Sequence, residues 1–269
     1  ALSSGTFNNF LGNSAGKNNT EGEANNFFGY TAGCANTTAD HGIFIGRNAG
    51  QKNTTGNHNT FLGQNAGYNN TTGFHNFFFG ATAGCSNTSG VYNFFIGQNA
   101  GISNTTGTRN NFLGVNAGYN NTTGCYNNFF GQCAGNSNRT GCHNNALGQL
   151  ALRSGTGTGS HNNLFGRCAG HSISTGSDNN FLGKYAGRNN QTGVNNNYFG
   201  AYAGCAATTQ SANNIFGAFA GCSNSGNFIN FFGCCAGLQN TGNHNVFMGV
   251  CAGYTNLGGC SNMFVGTCA

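Results

Sequence analysis

The sequence predicts an all-β chain: a parallel β-solenoid, or β-roll, of about sixteen 17-residue coils. It reads as a single repeat domain over 1–269, slightly irregular near 150–160. Three observations predict this. First, a glycine after two large apolar residues recurs at Gly12, Gly29, Gly46, Gly63, Gly80, Gly97, Gly114, Gly131 and Gly148, every 17 residues. It resumes at Gly166, Gly183, Gly200 and Gly217, then at Gly233, Gly249 and Gly266, with one 18-residue and two 16-residue steps. Second, glycine also recurs inside each repeat, at a cost of about 1 kcal/mol each in a helix interior, so helix is disfavoured. Third, a repeat this short cannot bury a core alone and must stack on its neighbours.

With the anchor glycine numbered zero, each element of the repeat has a reason. Position −1 is apolar throughout, from Leu11 to Val265, and −2 is mostly Phe, with Ala146, Leu164, Tyr198 and Ile215 as exceptions. Position +3 is Ala in all sixteen repeats, which implies a narrow interior. Position +4 is Gly wherever the chain reaches it, except at Leu152. The pattern reads as short strand, glycine corner, short strand, polar turn, with two strands of about four to five residues per coil. Rungs about 4.8 Å apart would make a rod on the order of 75 Å.

Columns then become ladders. Asn fills −4 in fourteen of sixteen repeats and +7 in most. Stacked Asn amides can pass hydrogen bonds from rung to rung, and Asn tolerates the left-handed backbone of tight turns.

Positions −2 and −1 are adjacent, so a strand sends them to opposite faces. One column fills the coil. The other leaves an apolar stripe longer than soluble monomers expose, unless the chain bends to turn both inward. The expected assembly stripe is the phenylalanine row Phe10, Phe27, Phe44, Phe61, Phe78, Phe95, Phe112 and Phe129. Burying it against further copies, most simply in a threefold bundle, makes self-association the expected partnership. The chain starts near +6 of one coil and ends at +3 of another, so head-to-tail stacking would nearly complete a repeat.

The motif Asn-Asn-Phe-Leu-Gly-x-x-Ala-Gly-x-x-Asn-Thr-Thr-Gly resembles repeats of bacterial and phage tail-fibre-type surface proteins. It is more distantly similar to the head repeats of trimeric autotransporter adhesins, and Asn144 to Leu152 is close to a common variant. The resemblance implies a trimeric parallel β-roll and a cell-surface or glycan receptor. The longer coil and the many cysteines depart from it.

Candidate chemistry is sparse. Thirteen cysteines sort into columns, and same-column residues on adjacent rungs suit disulfide geometry. The candidate pairs are Cys125 with Cys142, Cys205 with Cys222, and Cys251 with Cys268 or Cys235. The alternative is small buried thiols that fill coil positions. Asn-x-Ser/Thr sequons recur at Asn36, Asn53, Asn70, Asn87, Asn104, Asn121, Asn138 and Asn190. They read as turns, or as glycosylation sites in a host that modifies them. Six of seven histidines share position −5, three of them (His41, His58, His75) on consecutive rungs. They read as planar side chains stacking at a turn, since Tyr92, Tyr126 and Phe228 share the column, with metal binding as the alternative. Thr rows raise ice binding as another class, but Thr54-Thr55 and Thr71-Thr72 sit at a turn and face opposite ways.

Four acids, no paired carboxylates and no phosphate loop argue against catalysis, and no cofactor is expected. The net charge of +5 rests on nine scattered Lys and Arg, which argues against nucleic acid. No apolar run approaches the length of a membrane-spanning helix. No signal peptide is evident, and Ala1 to Gly5 would suit a mature N-terminus or a trimmed fragment. The expectation is an extracellular structural protein at a cell or virion surface, forming a stiff fibre or filament shaft. An adhesin or tail-fibre segment is the alternative, and an ice-binding protein a third reading.

Overall fold

The computed structural model describes residues 4–153 and 157–269. Ser154-Gly155-Thr156, part of the irregular stretch near 150–160, lies outside them. The fold is all-β, a parallel β-solenoid with sixteen three-residue strands spaced roughly 17 residues apart and no helix among the described residues. Two compact units divide the chain, Ala1–Cys133 and Ala134–Ala269. The first unit carries β1 (Asn9–Leu11), β2 (Asn26–Phe28), β3 (Ile43–Ile45), β4 (Thr60–Leu62), β5 (Phe77–Phe79), β6 (Phe94–Ile96), β7 (Asn111–Leu113) and β8 (Asn128–Phe130). The second carries β9 (Asn145–Leu147), β10 (Asn163–Phe165), β11 (Asn180–Leu182), β12 (Asn197–Phe199), β13 (Asn214–Phe216), β14 (Asn230–Phe232), β15 (Val246–Met248) and β16 (Met263–Val265).

Within each unit every strand pairs in parallel with the equivalent strand of the next coil, column on column, as Phe44 on Phe61 and Phe61 on Phe78. The coil holds one strand, not the expected two. After the anchor glycine the chain makes consecutive tight turns, with Ala66 N–H bonding Gly63 O at 3.3 Å and Asn70 N–H bonding Gly67 O at 3.0 Å. Four positive-φ residues per coil keep the rest of it from extending. They are the anchor glycine, the +4 glycine, and the residues at +2 and −5. The last two are not glycine, so the left-handed corners fall on residues such as Asn65 and His58 rather than on the −4 and +7 Asn columns. Each corner N–H is held by the preceding rung, as His58 by Asp40 O at 2.9 Å and Asn65 by Arg47 O at 2.9 Å.

The interior explains the conserved sizes within the repeat. The −2 ring lies flat against the +4 glycine, where a Cβ on Gly67 would meet the Phe61 ring at 2.7 Å. The +3 alanines that share this space, from Ala32 to Ala252, are fully buried. The anchor glycine faces backbone: a Cβ on Gly63 would lie 2.6 Å from Gly80 O. The Phe rings stack along the first unit at centroid spacings of 4.5 to 5.0 Å, close to the rung spacing.

The two Asn columns form the expected ladders, buried except in the terminal coils. At +7, the Asn87 amide donates to Asn70 Oδ1 at 2.7 Å and to Gly90 O at 3.0 Å, and accepts from Asn104 at 2.8 Å. At −4, Asn59 donates to Gly73 O at 2.7 Å and accepts from the Asn76 backbone at 2.9 Å. These bonds replace solvent for buried turn carbonyls that would otherwise be orphaned.

Candidate assembly face

The strand alternation sends −2 inward and both −3 and −1 outward. Phe27, Phe44, Phe61, Phe78, Phe95, Phe112 and Phe129 are fully buried, and Phe10 stacks on Phe27 at 5.0 Å. The row expected as an assembly stripe is therefore the core. A flat ring at −2 fits only because +4 has no side chain, and that space selects −2 over −1. The outward apolar row is the −1 column instead. In the first unit it contains Ile45, Leu62, Phe79 and Ile96; in the second, Phe165, Leu182, Phe199 and Met248. Phe79 is 52% exposed and Leu182 49%.

The −3 column runs beside it on the same face. There Asn rows bond from strand to strand, as Asn180 to Asn197 at 2.9 Å, and Phe77 stacks on Phe94 at 5.0 Å. In the second unit, Asn163, Phe165, Asn180, Leu182 and Phe199 shape a shallow depression of about 390 Å³ on this face. The signal for the correct phase was present in the sequence. The coil with Ala146 at −2 is the one with Leu152 at +4, and Leu152 is buried. A size exchange between those positions marks them as partners across the interior.

The sequons are core, not surface. Asn36, Asn53, Asn70, Asn87, Asn104, Asn121, Asn138 and Asn190 are all at most 1% exposed. Their amides face the interior, so the turn reading describes the folded chain. Asn190 differs from the rest. Its column neighbours are Ile173 and Ala207, so the ladder is broken on both sides, and neither of its amide atoms has a hydrogen-bond partner.

Of the candidate disulfides, Cys205–Cys222 is formed, with a Cα separation of 4.8 Å. Cys251, Cys268 and Cys235 carry free thiols. Cys234 lies 3.5 Å from Cys235, and burial, helped by the neighbouring thiols Cys234 and Cys251, pushes the Cys235 thiol up to about 11. The Cys125 thiol donates to Thr123 O at 3.3 Å and the Cys142 thiol to Thr140 O at 3.5 Å.

The −5 histidines stack as planar side chains. His41, His58 and His75 follow one another at 4.8 and 4.7 Å, and Tyr92 continues the column at 5.0 Å. Desolvation, then the charges of His75 and His41, hold His58 below its ordinary value, against Asp40. No group of three His, Cys, Asp or Glu able to hold a metal ion occurs among the described residues. The Thr hydroxyls at +8 donate to the backbone of the next rung, Thr54 to Thr71 O at 3.0 Å and Thr71 to Thr88 O at 3.0 Å. Among the described residues no helix is long and apolar enough to cross a membrane. Comparison with protein-family models, curated proteins and solved structures finds no match.

Proposed function

We propose that this chain is an extracellular, non-catalytic structural protein that self-associates through the outward apolar row. The single observation that carries the reading is that row: Leu62, Phe79 and Ile96 in the first unit, and Phe165, Leu182 and Met248 in the second, on a low-charge face. Its burial against another copy would remove apolar surface at roughly 25 cal/mol per Å². Hydrogen-bonded columns and a dry Phe stack also suit a protein whose work is stiffness and resistance to proteolysis at a cell or virion surface. The parallel register supports assembly into a fibre or filament.

A trimeric adhesin or tail-fibre segment uses the same face in a closed arrangement. Ice binding gains less support, because the +8 Thr hydroxyls are committed to backbone carbonyls and the exposed +9 row of Thr38, Thr55 and Thr72 lies on bends, not on a strand. The test is mass by light scattering with negative-stain imaging, on the wild type and on L62K/F79K/I96K. Assembly lost in the variant, with unchanged circular dichroism, supports the reading. A threefold particle selects the adhesin-type arrangement. A wild type that stays monomeric at high concentration refutes self-association.

A further inference from the structure

The nine Lys and Arg look scattered in the sequence, but stacking gathers four of them in the second unit. Arg167 and Lys184 share the +1 column on adjacent rungs. Arg153 and Arg188 share the +5 column, with His171 on the rung between them. Between these two columns runs the +2 column, with Tyr185 tilted on Tyr202 at 5.0 Å and Tyr202 stacked on Phe219 at 4.8 Å. Three cations converge on one ring: Lys184 and Arg188 each lie 5.3 Å from the Tyr185 centroid, and Arg167 lies at 6.0 Å. Arg153, Arg167, Lys184 and Arg188 are all exposed.

No carboxylate pairs with these four among the described residues, and the second unit holds a single acid, Asp178, in the −5 column. Desolvation, and then the charges of Arg153 and Arg188, hold His171 below its ordinary value. Like charges gathered this closely without a counter-charge raise the local potential and attract an anion.

We propose that these two cationic columns form a binding surface for a linear acidic polysaccharide, lying along the stack with its anionic groups on Arg153, Arg167, Lys184 and Arg188. The occupant follows from the geometry. Guanidinium forks suit sulfate and carboxylate oxygens, and the half-buried Tyr185 and Tyr202 can offer hydroxyls between the two columns. Single-stranded nucleic acid is the less favoured polyanion, because it relies on open aromatic faces for base stacking. Here Tyr185 and Tyr202 pack on each other and carry the cations, and Phe219 lies stacked on Tyr202. The site is independent of the apolar row and does not rest on the assembly reading.

The test is titration of the full chain with heparin, dextran and single-stranded DNA at matched salt, for wild type, R167Q/K184Q/R188Q and the first-unit control R47Q/K52Q. The expected result is salt-sensitive heparin binding and none to dextran. The triple variant should weaken heparin binding at least about tenfold, the equivalent of one charged hydrogen bond. The control should match the wild type, and all three proteins should show the same circular dichroism. Heparin binding unaffected by the triple variant, or equally weakened by the control, overturns the proposal. So does DNA binding as tight as heparin binding, or no binding at all.

Discussion

The exchange of Ala146 and Leu152 for the usual Phe and Gly predicts a compensating pair elsewhere in the stack. Phe61 is fully buried, and a Cβ on Gly67 would meet its ring at 2.7 Å. Phe61→Ala should cost about 3–5 kcal/mol, the transfer term plus the cavity left beside the neighbouring rings. Gly67→Leu alone should cost about 1–3 kcal/mol by overpacking against Phe61. Placing a side chain at φ 58° adds about 1–2 kcal/mol. In the double variant the leucine should fill the space the ring vacates, the combination that occurs, with both residues buried, at Ala146 and Leu152. Only the backbone term and imperfect packing remain, so the pair should lose about 1–3 kcal/mol. The coupling is then at least about 2 kcal/mol, large for residues in contact. Hydrogen exchange of the amides around Gly63 to Gly67 reads local stability, which suits a repeat array whose unfolding need not be all-or-none. Losses that add to within about 0.5 kcal/mol would refute the size exchange.

Other predictions use the same ladders. Asn87→Ala should cost about 1–3 kcal/mol, because it removes the donor to Asn70 Oδ1 and one of the two acceptors of the Asn104 amide, and leaves Gly90 O with Asn76 alone as side-chain donor. Asn190→Ala should instead gain about 1 kcal/mol, since it removes two unpaired polar atoms; denaturant midpoints compare the two, and a loss at Asn190 comparable to that at Asn87 sinks the broken-ladder account. His58 is held below its usual 6.5, so beneath that pH the unfolded chain binds more protons than the folded one. Its contribution is whole above 6.5 and is lost as pH falls through the lower folded value, so the unfolding midpoint of wild type should drop between pH 7 and 5. His58→Tyr should flatten that slope, and an unchanged slope would remove His58 as its source. Replacing Cys205 and Cys222 by Ala, which opens a 17-residue loop, should cost about 3 kcal/mol under oxidising conditions and nothing under reducing ones.

The sequence by itself determined the period, the parallel stacking of equivalent positions, the Asn ladders and the narrow interior. Each of those depends only on which residues share a column, and a column can be read from spacing. What lies in or out is a different matter. Strand alternation fixes that Phe78 and Phe79 face opposite ways but not which is inside. The flat site over the +4 glycine settles it, and that site exists only once the coil closes on itself. The same closure turned the sequons from a surface into a core, placed left-handed corners at His58 and Asn65, and reduced two strands to one. It also brought Arg153, Arg167, Lys184 and Arg188 onto one wall. Residues up to 35 positions apart in the chain become neighbours when each coil advances by a single strand spacing.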